Sequence, residues 1–259
     1  MSDFSPPSFF GHGSPMNAIE FNDFTDRWRS YGASLPAPKA ILSISAHWFI
    51  NATAVTVMDS PRTIHDFYGF PKPLFDFEYR APGSREIAEL VIDAVEPTWV
   101  GQDEDQWGLD HGTWSVLTHI FPAADVPVIQ LSIDATKDIG YHYELGRKLA
   151  SLAHQGVMIF GSGNIVHNLR SMDWSNPSGG FDWAVDFDMR SRDAILAKPS
   201  SVVDLVDNDN FSLASPTPDH FLPFVYFAGV ADELGMDVTN VVEGCSFGSI
   251  SMASYALLG

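Results

Sequence analysis

Short runs of apolar, β-branched residues alternate along the chain with longer stretches in which apolar positions recur every three or four residues. AILSISAHWFI (40–50), ATAVTVM (52–58) and VMIFGSGN (157–164) read as strands, and DVPVIQLSI (125–133) as a buried one. SREIAELVIDAV (84–95) reads as a helix opened by a serine cap, and GYHYELGRKLASLAHQG (140–156) as a helix closed by a glycine. Helical spacing returns over 181–196 and 219–235, and the tail SFGSISMASYALLG (246–259) is mixed and strand-like. Strands alternating with helices predict an α/β fold. The form expected is a single-domain three-layer α/β/α sandwich over residues 1–259, built on a mixed, largely parallel central sheet. In such sheets ligand sites gather beyond the carboxyl ends of the strands, which says where chemistry should lie.

Composition narrows the function. Thirty-three acidic residues against fourteen basic ones give a formal net charge of −19, a field that repels phosphate backbones and anionic lipid surfaces, so neither nucleic acid nor membrane is an expected partner. No apolar run approaches the ~20 residues of a membrane span, and no basic n-region precedes an apolar stretch at the start; a soluble, cytoplasmic protein is expected. The single cysteine, Cys245, fits a reducing compartment, reads as a buried small hydrophobe, and excludes thiolate metal clusters. Any metal would be held by nitrogen and oxygen, and nine histidines are available. GSGNIV (161–166) lacks the third glycine of a dinucleotide fingerprint, and neither a phosphate-binding GxxxxGK[ST] nor a nucleophile elbow occurs.

Four histidines fall at the ends of predicted strands or in Gly/Pro-rich loops: His12 in FFGHGSP, His47 in SISAHWF, His111 in WGLDHGTW and His167 in GSGNIVHNL. His220 opens a helix in SPTPDHFLPF, and His65 lies in the aromatic-rich loop TIHDFYGF. Gly11 and Gly13, flanking His12, let the backbone approach a ligand closely. His119, His142 and His154 sit in helical stretches and read as surface or satisfied helix histidines. Taken singly, each loop histidine is as readily structural as functional, and their spacing specifies no particular metal.

Taken together, GHGSPMNAI, SAHWF, TIHDFYGFP, WGLDHGTW, VPVIQLSID, GSGNIVHNLR and SPTPDHFLPF resemble the DODA-type, or 4,5-DOPA, extradiol dioxygenases, relatives of the catalytic subunit of protocatechuate 4,5-dioxygenase. The resemblance implies a mononuclear non-haem Fe(II) enzyme that opens a catechol ring, DOPA-like or related, beside its two hydroxyls, with both atoms of O2 entering the product. Zn2+ can fill the same position in a crystal, because nitrogen ligands bind it more tightly than Fe2+. It further implies that His12, His47 and His220 match metal-ligand positions, that His167 matches the acid–base position, and that His111 is a histidine contacting substrate or oxygen, to which it is expected to donate a hydrogen bond. Ser14 and His65 are substrate-side candidates, His65 at the base of an aromatic lid over 63–77. Related enzymes hold iron with two histidines and a carboxylate. Here the third position falls on His220, so the ligand set is neutral unless Asp219 or Glu243 coordinates. Two alternatives remain: a mononuclear zinc hydrolase using the same histidines, and a metal-free binding module suggested by the 13% aromatic content.

Overall fold

The computed structural model describes residues 4–258. Its strands are β1 (Ser8–Gly11), β2 (Ala40–Ile50), β3 (Ala54–Thr56), β4 (Gly101–Asp103), β5 (Val128–Asp134), β6 (Val157–Gly163), β7 (Val238–Val242), β8 (Cys245–Ser246), β9 (Ile250–Ser251) and β10 (Ser254–Leu257). All but β8 and β9, which form a small antiparallel ribbon, join one sheet in the order β4-β3-β5-β2-β6-β1-β10-β7. The central block β5-β2-β6-β1 is parallel, and antiparallel joints at β3/β5, β1/β10 and β10/β7 make the whole sheet mixed. The helices are α1 (Asp23–Ser34), α2 (Lys72–Phe75), α3 (Arg85–Ala94), α4 (His111–Ile120), α5 (Ile139–Leu149), α6 (Asp182–Ala197), α7 (Phe211–Ala214) and α8 (Leu222–Leu234).

The two-residue alternation of the strands sorts their side chains onto two cores. Phe9, Leu42, Ile44, Ile129, Leu131, Val157 and Ile159 face a core shared with α3, α5, α6 and α8. Phe10, Ile41, Val128, Met158 and Phe160 face the opposite core, closed by Trp28 of α1 and by Trp114, Val116, Leu117 and Ile120 of α4. Both faces are covered, so β5 and β6 are buried throughout; β6 reads as an apolar run, whereas β5 alternates Gln130 and Ser132 with Ile129, Leu131 and Ile133 and buries the polar positions in hydrogen bonds. Helix α8 is buried from Leu222 to Ala231 because it is wedged between the sheet and α5. No helix among the described residues is long and apolar enough to cross a membrane.

Several boundaries shift. The strand expected over 52–58 pairs only at 54–56, and the helix expected over 140–156 changes to a 3-10 turn (Ala150–Gln155) before Gly156 closes it at φ 86°. The helix expected at 219–235 is a 3-10 turn (Pro218–His220) followed by α8, and the tail forms three short strands, its final residue lying outside the described ones. His12 is not in an open loop: the four preceding residues form β1, hidden in the sequence by its brevity. His111 is the first residue of α4, whose N-terminus is capped by the Asp110 carboxylate accepting from the Thr113 N–H at 3.2 Å.

Candidate metal centre

Strands β1, β2 and β6 end on the same side of the sheet, and the histidines collect beyond those ends. His12 follows β1 directly, and its N–H donates to the carbonyl of Gly163, the last residue of β6, at 3.1 Å. His47 lies in β2, where residues 45–48 stand opposite Ser132 alone of β5; this bulge re-aims the strand out of its ladder. His220 belongs to the turn before α8, and its carbonyl accepts from Asn164 N–H at 2.9 Å. Gly163 allows this approach: a Cβ there would stand 2.2 Å from the His220 carbonyl oxygen.

The three rings converge. One nitrogen from each of His12, His47 and His220 lies within 4.8 Å of the others, and the Nε2 atoms of His12 and His47 are 3.2 Å apart. Their outer nitrogens settle which edge carries the proton. The Ser162 hydroxyl donates to the Gly112 carbonyl at 2.5 Å, so toward His12 it can only accept, and His12 Nδ1–H donates to it at 3.0 Å. His220 Nδ1–H donates to the Asp219 carboxylate, and His47 Nδ1 faces Asp66 Oδ2 at 3.1 Å. Each imidazole therefore has a proton acceptor behind it and presents Nε2 to the centre, the orientation that metal-binding histidines need. His220 Nε2 is buried with no hydrogen-bond partner among the described residues. Burial, reinforced by the neighbouring imidazoles, holds the pKa values of His12 and His220 well below the ordinary histidine value, keeping both neutral. His47 is raised, because Asp66 outweighs the burial that opposes its charge. Among the described residues His220 Nε2 has no partner and His12 Nε2 and His47 Nε2 have only each other, a converging donor set that fits a bound cation.

Two further histidines flank this trio. The His167 ring stacks on His220 with centroids 3.4 Å apart and planes 5° from parallel; among the described residues neither of its ring nitrogens has a hydrogen-bond partner. Burial lowers its pKa to about 4, with Asp219 pulling the other way. His111 lies against His47 at 3.9 Å between centroids, and both its backbone N–H and its Nδ1–H donate to Asp66 Oδ1, at 3.0 and 2.9 Å. Its Nε2 therefore carries the lone pair, and burial followed by repulsion from His47 lowers its pKa. With Nδ1 donating, neutral His111 offers an acceptor at Nε2, and the donor role expected of it would need the protonated ring.

The remaining candidates lie further out. His65 turns away: its Nε2 donates to the Phe77 carbonyl at 2.9 Å, and Phe67, packed on both His65 and His111, intervenes. Ser14 caps a 3-10 turn by accepting from Met16 N–H and lines a cavity of about 680 Å³ with Phe70, Trp174 and Phe247. Asp219 is engaged with His220, and Glu243 lies 3.5 Å from Arg192, so neither joins the ligand cluster. Sequence reasoning missed Asp66 and Ser162. Asp66 adjoins a histidine that drew the attention instead, and Ser162 stands one residue before the end of β6, where its hydroxyl meets His12. His119 and His142 are buried and hydrogen-bonded, to Asn17 and Arg29 and to Tyr226 respectively.

Fold and site together define a metal-dependent α/β enzyme whose histidine centre lies at the carboxyl ends of a parallel sheet block. The family described as the catalytic LigB subunit of aromatic ring-opening dioxygenase matches residues 10–257. Over 254 residues the chain is 44% identical to the 4,5-DOPA dioxygenase extradiol of Escherichia coli (strain K12), covering 96% of this chain and 93% of that one. It is 39% identical over 234 residues to the protein of that name from Beta vulgaris, covering 87% and 86%. The crystal structure of an uncharacterized protein from Escherichia coli K12 superposes with a TM-score of 0.86 at 39% identity, covering 98% of this chain and 99% of that one. The chain belongs to the LigB family of aromatic ring-opening dioxygenases and is an extradiol dioxygenase. Its substrates are accordingly a small aromatic molecule and O2, and the hydrolase and metal-free readings fall away.

Proposed function

We propose that the chain is an Fe(II)-dependent extradiol dioxygenase acting on a DOPA-like catechol, with His12, His47 and His220 as metal ligands. The observation that carries the reading is the convergence of three Nε2 atoms, each backed at Nδ1 by a proton acceptor. When bound, Fe(II) would supply the redox-active, Lewis-acidic centre through which the catechol and O2 react. The protein's own part is proton management. His167, held neutral by burial, takes a catechol hydroxyl proton on an unpartnered ring nitrogen and returns it to oxygen as the ring opens. His111 Nε2 accepts a hydrogen bond from the other hydroxyl, its acceptor character set by Asp66 behind it. Ser14 faces the side arm of the substrate, and the cavity it lines carries both signs of charge, Arg27 against Glu20 and Glu243, which suits an amino-acid arm. Phe67 and Phe70, on the loop that bears His65, supply an aromatic wall for the ring.

Apoprotein loaded anaerobically with Fe(II) and mixed with L-DOPA or catechol should, on admission of O2, consume one O2 per ring opened and give a yellow product. Zn2+-loaded protein should stay inactive. No O2 uptake from the Fe(II) form with either compound would refute the reading.

A further inference from the structure

We propose that Asp66 is a positioning residue: one carboxylate, carried on the loop that covers the centre, fixes the ring orientation and tautomer of His47 and His111 together. The inference rests on reading His47 as a metal ligand.

The geometry is specific. Asp66 Oδ1 accepts two hydrogen bonds from one residue, His111 N–H at 3.0 Å and His111 Nδ1–H at 2.9 Å. Its other oxygen, Oδ2, is buried and, His47 Nδ1 at 3.1 Å apart, has no polar partner among the described residues. The two oxygens are therefore divided between two imidazoles, whose rings pack at 3.9 Å between centroids. A carboxylate can only accept, so His111 Nδ1 is a donor and its neutral ring carries the lone pair at Nε2. The charge of Oδ2 favours a proton on the His47 Nδ1 that stands 3.1 Å away, leaving Nε2 free for a metal once the ring is neutral. A neutral amide in the same place could not satisfy both rings in the same tautomer.

The loop adds a second consequence. Asp66 is followed by Phe67, whose ring stands edge-on to His111 at 5.6 Å, and the loop is tied down by Trp114 Nε1–H donating to the Ile64 carbonyl at 2.9 Å. Asp66 also accepts from the first backbone N–H of α4, a ten-residue helix whose N-terminal dipole favours a negative charge there. Seating the loop and orienting the two imidazoles are thus one event. A loop displaced by substrate entry takes its carboxylate from both rings at once.

Asp66→Asn isolates the polarity from the shape. Two donors on His111 require the amide oxygen, which leaves the amide NH2 facing His47 Nδ1. That nitrogen must then accept, which moves its proton to Nε2, the metal-facing atom. The expected result is a loss of Zn2+ affinity of about 10–100-fold, measured on the apoprotein by competition with a chromophoric chelator. Long-range 1H–15N spectra of histidine-labelled apoprotein should show the His47 proton moving from Nδ1 to Nε2, while His111 keeps its Nδ1 proton. The metal-free melting temperature should stay within about 2 °C of the parent, because the isostere keeps its volume and both His111 bonds. An unchanged Zn2+ affinity, or an unmoved His47 proton, overturns the proposal. So does a metal-free melting temperature lowered by more than about 5 °C, since loop displacement would then explain the loss. A parent protein that binds no Zn2+ instead overturns the metal-site reading on which the proposal stands.

Discussion

Replacing Gly163 by alanine tests whether the proposed ligand trio depends on close backbone packing at the end of β6. The added Cβ would stand 2.2 Å from the His220 carbonyl oxygen and 3.1 Å from Pro223 Cγ. To restore an ordinary contact of 3.4 Å the carbonyl must retreat by about 1.2 Å, and it is backbone, so no rotamer change can absorb the clash. The same glycine accepts from His12 N–H, and Asn164, next in sequence, donates to that His220 carbonyl, so the strain separates two ligands directly. Metal sites tolerate errors of about 0.2 Å in ligand distance, several times less than the required shift. Overpacking costs about 1–3 kcal/mol, which in a chain of this size lowers the melting temperature by roughly 2–6 °C. The variant should therefore fold while its Zn2+ affinity falls by at least about tenfold. The assay is chelator competition at a temperature well below both melting transitions. Gly140→Ala is the control: on α5, its Cβ meets only Asp138 Oδ1, at an ordinary 3.5 Å. A folded Gly163→Ala protein that binds Zn2+ as tightly as the control would refute the argument.

His220→Ala should lose metal and activity together, whereas His167→Ala should keep most of its metal and lose about 10²–10⁴ in kcat; metal analysis with steady-state rates separates them, and equal metal loss would make His167 a ligand. Asp188 is half-buried on α6, and desolvation pushes its carboxyl up to about 6, with Glu243 adding while Ser251 and Arg192 pull it back. The native state therefore binds that proton more tightly than the unfolded chain, and stability falls as pH rises from about 4 to about 6, then levels. Asp188→Asn should add up to about 3 kcal/mol in urea unfolding at pH 8 and little at pH 4; an equal gain at both would refute the assignment. Burial, with Asp188 adding, pushes the Cys245 thiol up to about 12, so iodoacetamide at pH 8 should leave the folded enzyme unmodified by mass spectrometry.

What could be read from the sequence follows from which signals are local. β2, β5 and β6 declare themselves because each is rich in Ile, Val, Leu and Phe over at least seven residues, and α3 because Ser84 caps an amphipathic stretch. β1 does not, since its four residues show no period of their own and are held by pairing with β6 and β10. α4 hides for another reason: its first turn contains Gly112, tolerated because a larger residue would meet Ser45 Oγ at 2.6 Å. The histidines were legible because few side chains bind metal, and the motifs that contain them recur in a known family. The residues behind them were not. Which of His65 and Asp66 faces the centre depends on the path of an aperiodic loop, which is set by contacts with α4 and not by its own pattern.

The charge distribution around the centre has a consequence for the proposed reaction. Bound to a metal through Nε2, the three proposed ligands would be neutral imidazoles, His47 giving up the extra proton that Asp66 favours, and two of them are backed by carboxylates, Asp219 behind His220 and Asp66 behind His47. Negative charge is thus present one layer out, where it makes the imidazoles stronger ligands without filling a coordination position. A carboxylate in the ligand set would oppose the approach of a doubly deprotonated catechol more directly. Outside, the net charge of −19 repels anions, so a catechol reaches the site more readily with its hydroxyls protonated. The protons must then be removed inside, where His111 and His167 are both held neutral by burial and can receive them. Under the proposed function, the neutral imidazoles, the carboxylates behind them and the two flanking bases would meet one requirement: to admit a neutral catechol and bind it as its anion.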